Sequence, residues 1–283
     1  MKETGTLYLC ATPIGNLEDI TLRVIRCLKE VDLIAAEDTR NSIKLLNHFE
    51  ISTPMTAYHE HNKYDKGREL VRLLLEGKDI ALITDAGTPG ISDPGEELVQ
   101  MSVEAGVNVT SLPGAAACIT ALTISGLSTR RFAFEAFLPA DKNERKKILG
   151  DLQKEFRTIV IYEAPHRLKT TLSELCEVLG GERRVSIVKE LTKLHESVRR
   201  MTLDEAVALA ESEPPRGEYV LVIEGLSRTE CEEKEREAFL SMTLEEHMKL
   251  YLDEGMDRKA AMKAVAKDRG VSKSEVYRGL LQG

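Results

Sequence analysis

Short apolar runs alternate with amphipathic segments along the first part of the chain. Runs such as Thr6–Cys10 and Ile80–Ile83 are typical of buried strands. Between the runs, apolar residues return at helical spacing, and one segment is predicted to place Leu22, Ile25, Leu28 and Val31 on a single face of a helix. Strands separated by helices indicate βα units and a mostly parallel sheet. The other elements predicted here are strands at 33–36 and 107–112, an extended piece at 54–58, and helices at 43–49, 67–76 and 115–125.

A second set of elements follows residue 126, and some of its strands succeed one another without an intervening helix. Because such pairs are usually antiparallel, a mixed sheet is expected here. The predicted strands are 132–138, 158–162, 185–188, 197–201 and 219–223, with helices at 143–155, 168–179 and 203–210.

The end of the chain is a charged helical tail, with helices predicted at 230–249, 258–267 and 272–281. The last two are joined in the manner of a helix-turn-helix. Residues 229–255 hold nine acidic and three basic side chains, whereas residues 256–283 hold seven basic and three acidic ones. The whole pattern predicts an α/β protein with two α/β domains, 1–115 and 116–228, followed by a helical tail, 229–283, that ends in a basic segment.

Composition is that of an ordinary globular protein: 283 residues, 42% hydrophobic and 30% charged. Its five cysteines form no Cys-x-x-Cys pair, which favours a reducing cytosol and argues against a zinc site. The N-terminus lacks a signal-peptide pattern, and no apolar run approaches the ~20 residues of a membrane span. We therefore expect a cytoplasmic protein. The net charge of −8 argues against indiscriminate coating of nucleic acid but leaves local basic surfaces open.

The segment 84–95, Thr-Asp-Ala-Gly-Thr-Pro-Gly-Ile-Ser-Asp-Pro-Gly, lies between a predicted strand and a predicted helix. Its glycines and prolines favour a rigid backbone that another molecule can approach closely. Asp93 is the predicted N-cap of the following helix, with Pro94 in its first turn and Glu96 completing a capping box. A plain strand-to-helix turn is the alternative interpretation.

Several common site motifs are absent from the sequence. It has no P-loop, no Gly-x-Gly-x-x-Gly after the first strand, no Gly-x-Ser-x-Gly and no His-Glu-x-x-His. His59 and His61 flank Glu60, but without further ligands this segment is interpreted as a polar surface loop. No metal is expected. What remains is a polar or glycine-rich segment at the end of each of six predicted strands: 12–16, 37–40, 84–93, 113–117, 162–167 and 189–193. Such ends converge on one cleft.

Seven of the chain's motifs resemble the tetrapyrrole methylase superfamily. In order they are 11–17 (ATPIGNL), 36–40 (AEDTR), 58–62 (YHEHN), 84–95, 112–114 (LPG), 162–167 (YEAPHR) and 190–193 (ELTK), and the likeness covers residues 6–228. The superfamily commonly has Gly-Asp-Pro where this chain has Gly87-Thr88-Pro89. That departure fits the branch that methylates a cytidine 2′-hydroxyl of small-subunit (16S) ribosomal RNA.

The resemblance implies a homodimer whose two α/β domains enclose S-adenosylmethionine. By motif position, the residues implied in cofactor binding are Pro13, Asp85, Ala86, Gly87, Thr88, Pro89, Ile91, Ser92, Asp93, Gly114, Ala115, Ala116, Tyr162 and Leu191.

A ribose hydroxyl is a poor nucleophile, so a base within hydrogen-bond reach would help to remove its proton. Glu163 and Glu190 rank first because the strands that they end look adjacent in the sequence pattern. His166 is the third candidate for the base, although it could equally be an ordinary residue at the start of a helix. Arg40 is a catalytic candidate that would orient the base or hold a phosphate.

Phosphate contacts would come from basic side chains. The RNA-binding candidates are Arg167, Lys193, Arg130, Arg131, Lys146, Arg258, Lys259 and Lys263. The alternative for such runs is a solvated face.

Two other functions stay open at this point. One is a superfamily methyltransferase that acts on a tetrapyrrole or a modified protein residue. The other is a non-catalytic regulator that binds cofactor or RNA. The basic end of the tail favours RNA, because an enzyme for a small molecule does not need it.

Overall fold

The first five strands form a sheet that is parallel throughout. They are β1 (Thr6–Cys10), β2 (Leu33–Ala36), β3 (Met55–Ala57), β4 (Ile80–Ile83) and β5 (Asn108–Leu112). Their order in the sheet is β3-β2-β4-β1-β5. The mostly parallel sheet predicted from the apolar runs is thereby confirmed. This architecture comes from a computed structural model that describes residues 4–227 and 236–281.

Helices cover both faces of this sheet. They are α1 (Leu22–Glu30), α2 (Thr39–His48), α3 (Lys63–Leu75) and α4 (Gly95–Glu104), and a further helix, α5 (Ala117–Ile124), follows the last strand of the sheet. Leu28 and Leu46 belong to one apolar cluster, and Leu70 and Leu98 to another. Because both faces are buried, the strands are apolar on both sides, which explains the uninterrupted apolar runs.

The second sheet is mixed, as predicted. Its strands are β6 (Phe132–Phe137), β7 (Thr158–Glu163), β8 (Arg184–Lys189), β9 (Ser197–Thr202) and β10 (Tyr219–Ile223), in the order β6-β7-β10-β8-β9. The pair β6–β7 is parallel and the remaining pairs are antiparallel. The helices among these strands are α6 (Lys142–Leu152), α7 (Pro165–Leu179) and α8 (Leu203–Ser212).

Alternate residues of the second sheet face two different helical layers. Ile161 and Leu221 pack in the cluster that includes the buried leucines of α7. Val160 and Val220 pack with Leu122 of α5 on the other face. Helix α5 thus follows the first sheet in the chain and packs on the second.

The chain forms two compact units, Met1–Leu152 with Arg157–Glu224, and Gln153–Phe156 with Gly225–Gly283. Both sheets lie in the first unit, on either side of the domain boundary predicted at residue 115, which itself stays a prediction. No helix of the described residues is long and apolar enough to cross a membrane.

The described part of the second unit contains short helices. They are α9 (residues 236–241 in the described part), α10 (Leu244–Asp253), α11 (Arg258–Arg269) and α12 (Lys273–Gly279). Helix α11 ends at Gly270 with φ +65°, and Ser272 starts α12 with a capping box. Two helices joined by a tight turn were predicted here.

Three local predictions were wrong. Leu22 is 86% exposed, because it lies about 200° around the helix from the buried Val24. Helix α4 has Pro94 at its N-cap and no capping box, because the Asp93 carboxylate also binds amides earlier in the loop. The helix predicted at 230–249 is interrupted at residues 242–243, where Thr243 caps α10; residues 228–235 of that region lie outside the described residues.

We predict that Leu221→Ala lowers the free energy of unfolding by about 2–5 kcal/mol, because Leu221 is fully buried in the central strand β10. The matched control is Leu22→Ala, whose side chain is exposed and whose loss should change stability by less than about 0.5 kcal/mol. Urea unfolding of both variants checks this. Equal midpoints would contradict the central position of β10.

Candidate functional site

A cleft of about 470 Å³ opens where the ends of the two sheets meet. The first sheet supplies the loops after β2, β4 and β5, and the second supplies the ends of β6, β7 and β8 and the start of β10. A volume of this size is within the range of pockets for drug-sized ligands. We call it the cleft.

The loop after β4 is tied to the loop after β1 by a pair of backbone hydrogen bonds. Thr12 N donates to Gly87 O at 2.9 Å, and Gly87 N donates to Thr12 O at 3.1 Å. The Thr12 hydroxyl also donates to Thr84 O at 3.0 Å. Gly87 has φ +89°, and a Cβ there would lie 3.4 Å from Ile14. The positive φ favours glycine at this position, whereas a Cβ would meet only ordinary contacts.

The Asp93 carboxylate organises the far end of the same loop. It accepts hydrogen bonds from Gly90 N at 2.9 Å, Ile91 N at 3.2 Å and Gly95 N at 2.7 Å. Hydrogen bonds to an ionised carboxylate are among the stronger ones in proteins. The loop is therefore held in shape by its own side chain.

Tyr162 forms an aromatic wall of the cleft. Its hydroxyl accepts a hydrogen bond from Cys118 N at 3.0 Å, and its ring packs edge-on against Phe134 and Phe137 at 4.9 and 5.6 Å. Burial raises the pKa of Tyr162. The phenol therefore stays neutral near pH 7, and its ring serves as a fixed apolar surface.

A second cavity, the α2 groove, has a volume of about 320 Å³ and adjoins the cleft. Helix α2 and the loop after β1 form its sides. Both cavities are lined by Thr84 and Asp85. The other residues of the α2 groove are Thr12, Pro13, Gly15, Leu17, Asn41, Ser42, Lys44, Leu45 and His48.

Ten of the fourteen residues implied in cofactor binding line the cleft: Asp85, Ala86, Gly87, Thr88, Ile91, Ser92, Asp93, Ala116, Tyr162 and Leu191. Pro13 lines the α2 groove instead. Ala115 accepts a hydrogen bond from the Thr88 hydroxyl at 2.9 Å. Pro89 is buried, and Gly114 lies against Ala11.

Six residues that line the cleft lie in the segments predicted to converge there but were not named individually: Ile14, Glu37, Thr84, Ala117, Ala164 and Pro165. Five more lie outside those segments: Phe137, Val188, Glu218, Tyr219 and Val220. For the first six, the segment itself was an available signal. The last three have no such signal, because they begin an antiparallel strand rather than end a parallel one.

Glu163 lines the cleft, but its carboxylate is turned toward α7. The side chain has no exposed surface and accepts hydrogen bonds from Ala164 N at 2.8 Å and from the Thr171 hydroxyl. Arg167 approaches it at 3.5 Å and donates to Leu138 O. Glu163 and Arg167 thus form part of a buried polar network behind the cleft wall.

Glu190 and Lys193 are linked to each other beside the start of β10. Glu190 Oε1 accepts from Lys193 Nζ and from Glu218 N, both at 2.9 Å, and Lys193 also binds Glu218 at 2.8 Å. These hydrogen bonds, that from Glu218 N first, hold the pKa of Glu190 below its ordinary value. The expected adjacency of the strands bearing Glu163 and Glu190 was wrong, since β10 lies between β7 and β8.

The other catalytic candidates do not line the cleft. His166 is exposed on the first turn of α7. Arg40 is 88% exposed and forms an ion pair with Asp38 at 2.7 Å. Among the remaining RNA-binding candidates, Arg130, Arg131 and Lys146 are exposed in the first unit, and Arg258, Lys259 and Lys263 are exposed on α11. Within the described residues, no group of three His, Cys, Asp or Glu side chains is arranged to hold a metal.

Comparison with known proteins matches residues 6–207 to the family model of Tetrapyrrole (Corrin/Porphyrin) Methylases. A protein of Halalkalibacterium halodurans, named Ribosomal RNA small subunit methyltransferase I, is 49% identical over 97% of this chain and 94% of its own. The protein of that name from Bacillus subtilis is 48% identical over 98% and 94%. A crystal structure of uroporphyrin-III C-methyl transferase from Thermus thermophilus, complexed with S-adenyl homocysteine, has a TM-score of 0.55 at 21% identity, covering 77% of this chain and 92% of its own.

We predict that Asp93→Ala speeds amide hydrogen exchange at residues 90, 91 and 95 by roughly tenfold or more, because each amide loses its carboxylate acceptor. The control is Asp65→Ala, which removes a 91% exposed carboxylate on α3 and should leave these rates unchanged. Unchanged exchange in Asp93→Ala would show that the loop does not depend on this side chain.

Proposed function

The chain belongs to the tetrapyrrole methylase family, and from that premise we propose that it methylates the 2′-hydroxyl of a cytidine in the 16S RNA of the small ribosomal subunit. The observation that carries the substrate is the 49% identity, over 97% of the chain, to a protein named for methylation of small-subunit ribosomal RNA. S-adenosylmethionine is the cofactor, and it supplies an electrophilic methyl group on a sulfonium.

The residues of the cleft fit that cofactor. Ala116 and Ala117 leave room for a planar ring system, and Tyr162 and Val220 provide apolar surface beside them. The loop of residues 84–93 presents backbone polar groups that suit a carboxylate and an amine. We propose that the ten predicted residues that line the cleft contact the cofactor, and that Pro13, Pro89, Gly114 and Ala115 support them.

Positioning supplies much of the acceleration in a displacement of this kind, because the attacking oxygen, the methyl carbon and the sulfur must lie in line. A cleft whose walls are fixed before binding meets that requirement. The hydrogen bonds of Asp93 and of Thr12 with Gly87 hold the loop in one conformation. The chain's own part is therefore to orient cofactor and acceptor and to hold the proton that leaves the hydroxyl.

We also propose that the protein is a cytoplasmic homodimer. Leu194 and Ile119, both in the unit that contains the cleft, are 92% and 45% exposed, and a second copy would cover such side chains. Light scattering on the purified protein measures the dimer directly.

The function is tested with purified small ribosomal subunits from a bacterial strain that lacks this activity. Incubation with methyl-labelled S-adenosylmethionine should label the RNA, and mass spectrometry of its nucleosides should find the label on the ribose of cytidine. Label on a base or on ribosomal protein would contradict the proposal. A cofactor-binding regulator would bind S-adenosylhomocysteine and label nothing, and a tetrapyrrole enzyme would label an added tetrapyrrole instead.

The exposed basic side chains of α11 are proposed to contact RNA phosphates. We predict that replacing Arg258, Lys259 and Lys263 together by alanine weakens RNA binding and makes its salt dependence shallower. The magnitude of the slope of log affinity against log salt concentration should fall by about two to three. S-adenosylhomocysteine affinity should not change. The control replaces Lys29, Arg68 and Arg72, which are exposed on α1 and α3. Equal salt slopes for the two triple variants would remove α11 from the RNA interface.

A further inference from the structure

The cleft and the α2 groove share a wall at Thr84 and Asp85. Among the described residues that line these cavities, Asp85 is the one carboxylate common to both. A group in this position touches whatever occupies either cavity. A general base must lie within hydrogen-bond reach of the hydroxyl whose proton it takes, and in a methyl transfer that hydroxyl lies next to the methyl donor.

The α2 groove has the chemistry of a ribonucleotide site. Lys44 and His48 supply cationic or hydrogen-bonding groups for phosphate, and Asn41 offers an amide to a base or sugar. Leu17, 42% exposed, and Leu45 give the apolar surface on which a base can rest. No ion pair of Lys44 is found within the described residues, so its charge is available to a ligand.

The other carboxylates that line the cleft are already engaged. Asp93 accepts three loop amides, and Glu163 is enclosed by α7 with no exposed surface. Glu218 forms an ion pair with Lys193. Glu37 accepts the Thr84 hydroxyl at 2.6 Å.

Asp85 differs from them in its surroundings. Partial burial raises its pKa, and the nearby carboxylates of Glu37 and Asp38 raise it further. The Asn41 amide, which donates to Asp85 Oδ2 at 3.2 Å, and the Asp38 backbone act in the opposite direction. The cation that faces this group is Arg40, whose guanidinium is paired with Asp38. Together these contacts raise the pKa of Asp85, so its carboxylate takes up a proton more readily than an ordinary aspartate does.

We propose that Asp85 is the general base of the methyl transfer and that the acceptor ribonucleotide lies in the α2 groove; this inference rests on the proposed function. As the ribose oxygen forms its bond to the methyl carbon, the carbon–sulfur bond breaks and its electron pair leaves with the sulfur. The hydroxyl proton passes to a carboxylate oxygen of Asp85 and from there to water. Asn41 is a positioning residue that holds the carboxylate at the border.

The test is Asp85→Asn, which keeps the size of the side chain and removes its basicity. With the full-length protein and small subunits, kcat should fall about 100- to 10,000-fold, while affinity for the subunit stays within about threefold and affinity for S-adenosylhomocysteine, which Asp85 is proposed to contact, falls by no more than about tenfold. The matched control is Asp65→Asn, the same change on an exposed part of α3, which should leave kcat unchanged.

The pH profile supplies a second readout. The ionised form of Asp85 is the active one, so the rate should fall as pH falls through a pKa above the ordinary aspartate value, and Asp85→Asn should lose this limb. Asn41→Ala removes a hydrogen bond that lowers the pKa, so the limb should move to higher pH with a several-fold loss of kcat. A variant that only loses stability would keep the acidic limb of its pH–rate profile at the wild-type position.

Three results would overturn the assignment. One is an Asp85→Asn variant with kcat within a few-fold of wild type. Another is a loss of activity matched by loss of S-adenosylhomocysteine binding, which would make Asp85 a cofactor anchor. The third is a wild-type protein that binds S-adenosylhomocysteine but labels no RNA; this alone refutes the proposed function as well.

Discussion

The two backbone hydrogen bonds between Thr12 and Gly87 hold together the parts on which the site depends. They join the loops that follow β1 and β4, which are neighbours in the sheet and more than seventy residues apart in the chain. The cleft lies on one side of this junction and the α2 groove on the other. Any other residue at position 87 would have to adopt a backbone φ of +89°, which favours glycine at this contact. The junction between the two cavities therefore depends on one backbone position that favours glycine.

Much of the fold follows from local patterns. Apolar runs predicted the strands, and helical spacing predicted the helices, because each pattern reflects burial of one short segment. Strand order depends on pairing between distant segments, and no local pattern reveals it. The insertion of β10 between β7 and β8 is the clearest case. It separates two strands that look adjacent in sequence, and with them Glu163 and Glu190.

The sequence predicted which segments form the candidate site but not the direction in which each side chain points. The predicted segments lie at strand ends, and in a parallel sheet those ends meet at one edge. Tyr162 and Glu163 are consecutive residues of β7, however, so their side chains point to opposite faces. Tyr162 faces the cleft and Glu163 faces α7. The sequence already shows this alternation, but Glu163 was ranked as a candidate base because it carries a carboxylate. Glu218 and Tyr219 were missed because β10 runs antiparallel to β7 and brings its first residues to the cleft.

The place of β10 also affects how the protein is made. It pairs with β7 on one side and β8 on the other, yet it is the last strand of the larger unit to be synthesised. Since a nascent chain emerges N-terminal end first, β7 and β8 emerge with unpaired edges and wait for a partner. The cleft also lacks the wall formed by Glu218, Tyr219 and Val220 until then. The cleft is therefore complete only after β10 has joined the sheet, and until then the edges of β7 and β8 that pair with it are open to other strands.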